Sequence, residues 1–336
     1  MSRALADRFA RLVVIDNMLP QVHPRAERPR MLDPRAEFVI GDVTRRDDWA
    51  ALLARLRPDV IVHLAAETGT AQSLTEATRH AEVNVVGTTM MLDALAAAGA
   101  LPRRIVLSSS RAVYGEGQWR DRTTGALSYP GQRSRPMLEA GQWDFPNLVA
   151  QPFEAAVTVP RPTSVYGATK LAQEHILSAW GQAMGVETPM LRLQNVYGPG
   201  QSLTNPYTGI VPLFARIAKA GDAIPVYEDG AIIRDFVFID DVAAALVHAA
   251  SEGLPSTLPY DVGLGEHHSI HDLARLVARL YDAPEPVVNG KFRHGDVRAA
   301  GCSIARTERD LGWRPKVGLA DGVAALCRWI DTGGKD

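Results

Sequence analysis

Short, continuous apolar runs alternate with longer stretches of helical period over the first two-thirds of the chain. Leu12, Val13, Val14 and Ile15 form one run, closed by Asp16 and Asn17. Residues 38–40 form a second, closed by Gly41 and Asp42; residues 60–64, 104–107 and 190–193 form three more, interrupted only by His63, Arg104 and Arg192. Helical patterns cover 47–56, 83–98 and 164–184. A strand that is apolar at every position is covered on both faces, as in a parallel sheet. Such strands separated by helices read as βαβ units. The right-handed crossover rule then predicts a doubly wound α/β fold. After Asn195 the pattern loosens, with Gly198, Pro199, Gly200, Pro206, Gly209 and Pro212 marking a loop-rich stretch. Helices are expected again at 213–220, 242–251, 270–281 and 319–332. This last third reads as a smaller lobe over the carboxyl ends of the strands, where open α/β sheets bind ligands. The expected division is 1–195 with 234–262 in the sheet domain, and 196–233 with 263–336 in the lobe.

Bulk properties narrow the partners. With 336 residues the chain can bury a large core. A formal net charge of −2 gives no case for nucleic acid or an anionic membrane as partner. No apolar run is long enough for a membrane span, and the first residues lack the apolar core of a signal peptide. Cys302 and Cys327 are too few and too far apart for a disulfide framework or a metal knuckle. Two lone thiols fit a reducing cytoplasm, and no metal is expected.

Two constellations carry chemistry. Tyr166 and Lys170 lie four apart in a helical pattern, hence on one face. An ammonium beside a phenol favours the phenolate and lowers its pKa from about 10, which makes the tyrosine a usable acid/base near neutrality. Upstream, the buried run at 105–107 feeds Ser108, Ser109, Ser110 and then Arg111, Ala112, Val113, Tyr114 and Gly115. Hydroxyls at the end of a central parallel strand point into the ligand crevice.

These stretches, with His63 to Ala66, Asn84 to Thr88, Leu191 to Pro199, Arg234 to Val242 and Gly295 to Arg298, resemble the extended short-chain dehydrogenases, specifically nucleotide-sugar epimerases and dehydratases. The segment 202–209 and the long insertion at 116–160 look most like the dTDP-L-rhamnose 4-epimerase group. The resemblance implies a Rossmann-like fold, NAD as cofactor and a nucleotide-sugar substrate. It implies Tyr166 as the base, Lys170 on the nicotinamide ribose, and Ser110 bonded to the reacting oxygen. Asp16 and Asn17 would meet the adenosine ribose, a carboxylate there favouring NAD over NADP. Asp42 and Val43 would lie by the adenine. Leu64, Ala65, Ala66, Asn84 and Ser108 would complete the cofactor site. Asn195 would contact the substrate diphosphate. Arg234, with Arg293 or Arg298, would clamp it, and Asp296 would bind a ribose hydroxyl; guanidinium forks suit phosphate.

The sequence departs from this family in two places. The glycine-rich turn that meets the cofactor pyrophosphate is absent, and residues 1–5 look like the middle of the first helix. A misassigned start, a truncation or a relative that lost cofactor binding would each explain this, the first being favoured. The polypeptide as written is expected to bind NAD poorly, and the missing strand to expose two strand edges. The second departure is the insertion, whose Trp119, Trp143, Phe145 and Phe153 favour a packed lid over disorder. Dehydratases carry an Asp-Glu pair where Arg111 and Ala112 stand, so epimerisation at C4 is expected; a sugar dehydrogenase or ketoreductase, and a non-catalytic relative, are the alternatives. The helices at 84–98 and 166–184 would pair in a homodimer, as in the family.

Overall fold

A computed structural model describes every residue except 204, 206–208, 255–256 and 335–336. The predicted strands form with small boundary shifts: β1 (Val13–Asp16), β2 (Glu37–Ile40), β3 (Val60–His63) and β4 (Arg104–Ser110). Helices α1 (Ser2–Ala6), α2 (Arg46–Leu53), α3 (Ala77–Ala81) and α4 (Gly87–Ala97) accompany them. A π-helical turn at Glu82–Val86 joins α3 to α4. The insertion contributes β5 (Trp119–Asp121), β6 (Leu127–Ser128), α5 (Arg135–Glu139) and β7 (Leu148–Ala150). Then follow α6 (Val165–Met184), β8 (Met190–Leu193), β9 (Asn195–Tyr197), α7 (Ile210–Lys219), β10 (Pro225–Val226), β11 (Ile233–Arg234), β12 (Phe236–Phe238) and α8 (Ile239–Ser251). The chain continues through β13 (Tyr260–Val262), β14 (His268–Ser269), α9 (Ile270–Leu280), β15 (Val287–Val288), β16 (Ala299–Ala300), α10 (Ala305–Leu311) and α11 (Leu319–Asp331).

The central parallel sheet runs β13-β8-β4-β3, and β1 pairs in parallel with β2 as a separate ribbon. Both pieces share their packing. Val13, Ile15 and Val39 pack with Ile61, Ile105 and Leu107 and the α2 and α4 residues Trp49, Leu52, Leu92 and Leu95 on one face. Leu5 of α1 packs with Val106, Val242 and Leu246 on the other. Helices therefore cover both faces, as the doubly wound reading requires. Among the described residues no strand pairs β1 to β3. Their facing edges stay open, and both strands are only part-buried whereas β4 is buried almost throughout. This is the split expected from the absent first strand.

The lobe has its own core, in which Phe214, Phe236, Leu273, Val277, Val323 and Leu326 are buried together. Helix α7 starts three residues before its expected start. Pro212 sits in its first turn, where a missing N–H breaks no helical bond. The insertion is a packed body: β5 pairs antiparallel with β6 and β7, and Trp119 meets Phe145 edge-on. It is fastened to the lobe by buried charges. Arg133 makes two bonds to Glu228 of 2.7 and 2.9 Å, while Glu116 accepts from the Arg298 backbone at 2.9 Å. Four residues of the 202–209 segment, Thr204 and 206–208, lie outside the described residues. No helix among the described residues is long and apolar enough to cross a membrane.

Candidate active site

Strand β4 ends at Ser110, and the chain at once turns through a short helix, Arg111–Tyr114. The Ser110 hydroxyl accepts from the Ala112 N–H at 3.1 Å and caps that turn. Helix α6 begins beside it, capped by Ser164, whose hydroxyl accepts from Gly167 N–H at 3.0 Å. The two helix starts touch through glycine. A Cβ on Gly167 would stand 3.0 Å from the Ala112 carbonyl carbon and 3.1 Å from the Pro162 Cβ. Gly115, with φ of +61°, packs against the Arg161 carbonyl in a conformation that side chains disfavour. These close approaches bring Tyr166, in the first turn of α6, against Ser110.

Burial raises the Tyr166 phenol above its ordinary value; the Ser110 hydroxyl and then the positive charge of Arg111 oppose this. Lys170, expected to act on the phenol, is not among the groups that shift it here. Lys170 lies one turn further on and is 2 % exposed. Burial pushes its ammonium down to about 7, partly offset by Glu174. It lies near enough to His63 to help hold that imidazole neutral, behind the larger effect of burial. A lysine this deep is a weak cation, so the charge felt by the phenol comes from the guanidinium.

The substrate side forms a cleft of about 290 Å³, counting its open mouth, lined by Thr70, Arg111, Thr163, Ser164, Arg234 and Asp296. Arg234 ends β11, and its Nη1 donates to the Ile233 and Val297 carbonyls at 2.7 Å each. Arg111 donates from Nε to Asn195 Oδ1 at 2.6 Å. Asp296 faces both guanidiniums and supports their charge. Ser110, Tyr166, Asn195, Arg234 and Asp296, all read from the sequence, therefore converge. Arg111 was missed as a site residue; the sequence signal was its place directly after the hydroxyl at the strand end.

Three expected residues are otherwise engaged. Arg298 is no free clamp: Nε, Nη1 and Nη2 donate to Asp144, Glu228 and Asp229 at 2.7 to 3.2 Å. Buried at 4 % exposure, it needs that many carboxylates, and it joins insertion to lobe. Arg293 is exposed, with its guanidinium 5.0 Å above the Tyr227 ring. Asn84 is 0 % exposed, and its amide is used up on the Glu67 backbone and Thr169 Oγ1, so it braces α6 instead of facing a ligand.

Along the other side of the strand ends lie Asp16, Asn17, Asp42, Val43, Leu64, Ala65, Ala66 and Ser108. Asp16 accepts the Met18 N–H at 2.7 Å, and Asp42 holds Thr44 and Asn17. Leu64 is 42 % exposed at the end of β3, next to the two small alanines. The Lys170 ammonium, although buried, makes no hydrogen bond or ion pair among the described residues. A lysine with a buried stem and an unpartnered ammonium, close to His63 at the end of β3, fits the ribose hydroxyls of a dinucleotide. The glycine-rich pyrophosphate turn has no counterpart in the 336 residues. No group of side chains among the described residues could hold a metal ion.

Comparison with known proteins agrees with this geometry. Residues 1–136 and 145–263 match the NAD dependent epimerase/dehydratase family. A dTDP-L-rhamnose 4-epimerase of Burkholderia thailandensis is 54 % identical over 330 residues, covering 98 % of this chain and 91 % of the relative. A UDP-glucose 4-epimerase of Mycolicibacterium smegmatis is 31 % identical over 289 residues, covering 86 % and 80 %. Among solved structures, the Thermus thermophilus UDP-glucose 4-epimerase in complex with NAD superposes with a TM-score of 0.76 at 26 % identity, over 98 % of this chain and 95 % of the other. With its strand-end hydroxyl, its tyrosine and lysine one turn apart and these relatives, the chain belongs to the NAD dependent epimerase/dehydratase family.

Proposed function

We propose that this protein is an NAD-dependent epimerase acting at C4 of a dTDP-linked 6-deoxyhexose. The observation that carries the reading is the convergence of Ser110, Tyr166 and the Arg234 cleft at the end of β4, joined to 54 % identity with a dTDP-L-rhamnose 4-epimerase. NAD supplies hydride acceptance and return when bound. Lys170 and Asp16 would hold it by its ribose hydroxyls, with Asp42, Val43, Leu64, Ala65, Ala66 and Ser108 alongside. Ser110 donates to the sugar C4 oxygen. Tyr166 takes the C4 hydroxyl proton as the alcohol becomes a ketone, and returns it after the ketose has turned over in the site. Asn195, Arg234 and Asp296 hold the nucleotide end so that turning occurs about a fixed diphosphate. Net redox change is zero.

Arg111 and Ala112 stand where a dehydratase needs its additional acid and base, which favours epimerisation over water loss. The division into a sheet domain (1–195, 234–262) and a lobe (196–233, 263–336) is supported by the separate lobe core, although Leu311 and Trp313 pack on the sheet side. The experiment is incubation with dTDP-L-rhamnose and a large excess of NAD, since the glycine-rich pyrophosphate turn is not among the 336 residues, followed by proton NMR of the sugar. The C4 epimer should appear without net NADH absorbance. Tyr166→Phe should lower turnover by about 10²- to 10⁴-fold, the usual contribution of a positioned acid/base. Net NADH formation in the parent protein would instead identify a dehydrogenase.

A further inference from the structure

Arg111 lines the cleft beside Arg234 and has no role in the serine, tyrosine and lysine arrangement. Its Nε is fixed on Asn195 Oδ1 at 2.6 Å, so the fork cannot swing freely. Nη1 and Nη2 make no hydrogen bond among the described residues. Arg234 lines the same cleft; its Nε and Nη2 are likewise without partners there, and it is only 7 % exposed. Arg234 disfavours the charge of Arg111, and Asp296 supports both guanidiniums; Asp235 also supports Arg111, and Glu116 and Glu228 also support Arg234. In the lining of the cleft itself, two forks with free donors meet one carboxylate, Asp296. An anion placed between the two forks would relieve their repulsion and take up their open donors. A diphosphate carries enough charge and enough acceptor oxygens to do so.

Resting on the nucleotide-sugar reading above, we propose that Arg111 is a substrate-binding residue that donates its Nη groups to the phosphate next to the sugar, opposite Arg234. Its place in the chain selects that phosphate. Arg111 directly follows Ser110 and acts electrostatically on Tyr166, so it approaches the substrate from the reacting end. Asn195 then serves as the stop that aims the fork.

The test compares binding of dTDP and dTMP by calorimetry to the full chain, the parent and the R111Q and R111K variants. The second phosphate of dTDP stands where the sugar-linked phosphate would. R111Q should lose about tenfold or more in dTDP affinity, the size of a lost charge-assisted contact, while dTMP binding changes little. The preference for dTDP over dTMP should therefore shrink, which general loosening of the fold would not produce. R111K keeps the charge without the fork and should fall between. An unchanged preference in R111Q overturns the proposal while leaving the epimerase reading intact. A parent protein that binds neither nucleotide removes that reading and the proposal together.

Discussion

Replacing Gly167 by alanine sets two effects of known sign against each other. Gly167 is the third residue of α6, in its first turn, where alanine is the better helix former by at most about 1 kcal/mol. Propensity alone thus predicts stabilisation. The added Cβ, however, would stand 3.0 Å from the Ala112 carbonyl carbon, closer still to its oxygen, and 3.1 Å from Pro162 Cβ. Ordinary contact begins near 3.4 Å, so the shortfall is 0.4 Å at the carbon and larger at the oxygen. The obstacle is backbone, which cannot rotate aside. Overpacking of this kind costs about 1 to 3 kcal/mol, which outweighs the helix gain. The net expectation is destabilisation by roughly 1 kcal/mol, a fall of a few degrees in Tm. Activity should suffer more than stability. Pushing the Arg111–Tyr114 turn off α6 separates Ser110 from Tyr166, and a displacement near 1 Å can lower a rate about 100-fold. Differential scanning calorimetry and turnover on the sugar nucleotide measure both. A variant that melts higher and turns over normally would show that the strand end and the helix do not meet as described.

Two further outcomes are expected. Burial pushes the Lys170 ammonium from 10.5 down to about 7. A group whose folded value lies below its unfolded one opposes folding when charged. That penalty is full below pH 7 and fades as pH rises towards 10.5. Lys170→Met should therefore be more stable than the parent at pH 6 by urea denaturation, the gap closing up to about pH 10; a gap that does not change with pH would refute a desolvated ammonium. We also propose a homodimer through residues 84–98 and α6, supported by the exposed Val86 (45 %) of the π-helical turn and Met184 (38 %) of α6. Light scattering should then give twice the 36.4 kDa chain mass, and a monomer at micromolar concentration ends that proposal.

The parallel strands and α6 were legible because each signal is local: apolar runs of four residues, a helical period, and Ser164 in place as a cap. Ser110, Tyr166, Asn195, Arg234 and Asp296 were legible through motif order. The misread residues share one cause, namely partners far away in the chain. Arg298 looks like a phosphate clamp until Asp144 and Asp229, 154 and 69 residues distant, reach it. Asn84 looks like a ligand-facing amide until Thr169, 85 residues away, takes its donor. Arg111 was read only as the mark of a missing dehydratase pair. Its tie to Asn195 spans 84 residues and has no sequence signature. The insertion's aromatics announced packing, but strands of two or three residues are too short to show an alternating pattern.

The ionic fastening of the insertion also dictates an order of events at the ribosome. Glu116, Arg133 and Asp144 leave the exit tunnel early, yet their anchors are Glu228, 95 residues after Arg133, and Arg298, 154 residues after Asp144 and 182 after Glu116. The segment cannot reach its final seat until the chain has been made past residue 298. Two groups that end up buried, Glu116 and Arg133, must stay hydrated through that interval, and they dock only when the last-made portion arrives. The anion-binding cleft, whose Arg234 and Asp296 come from the same late stretch, is therefore completed in the same closing step.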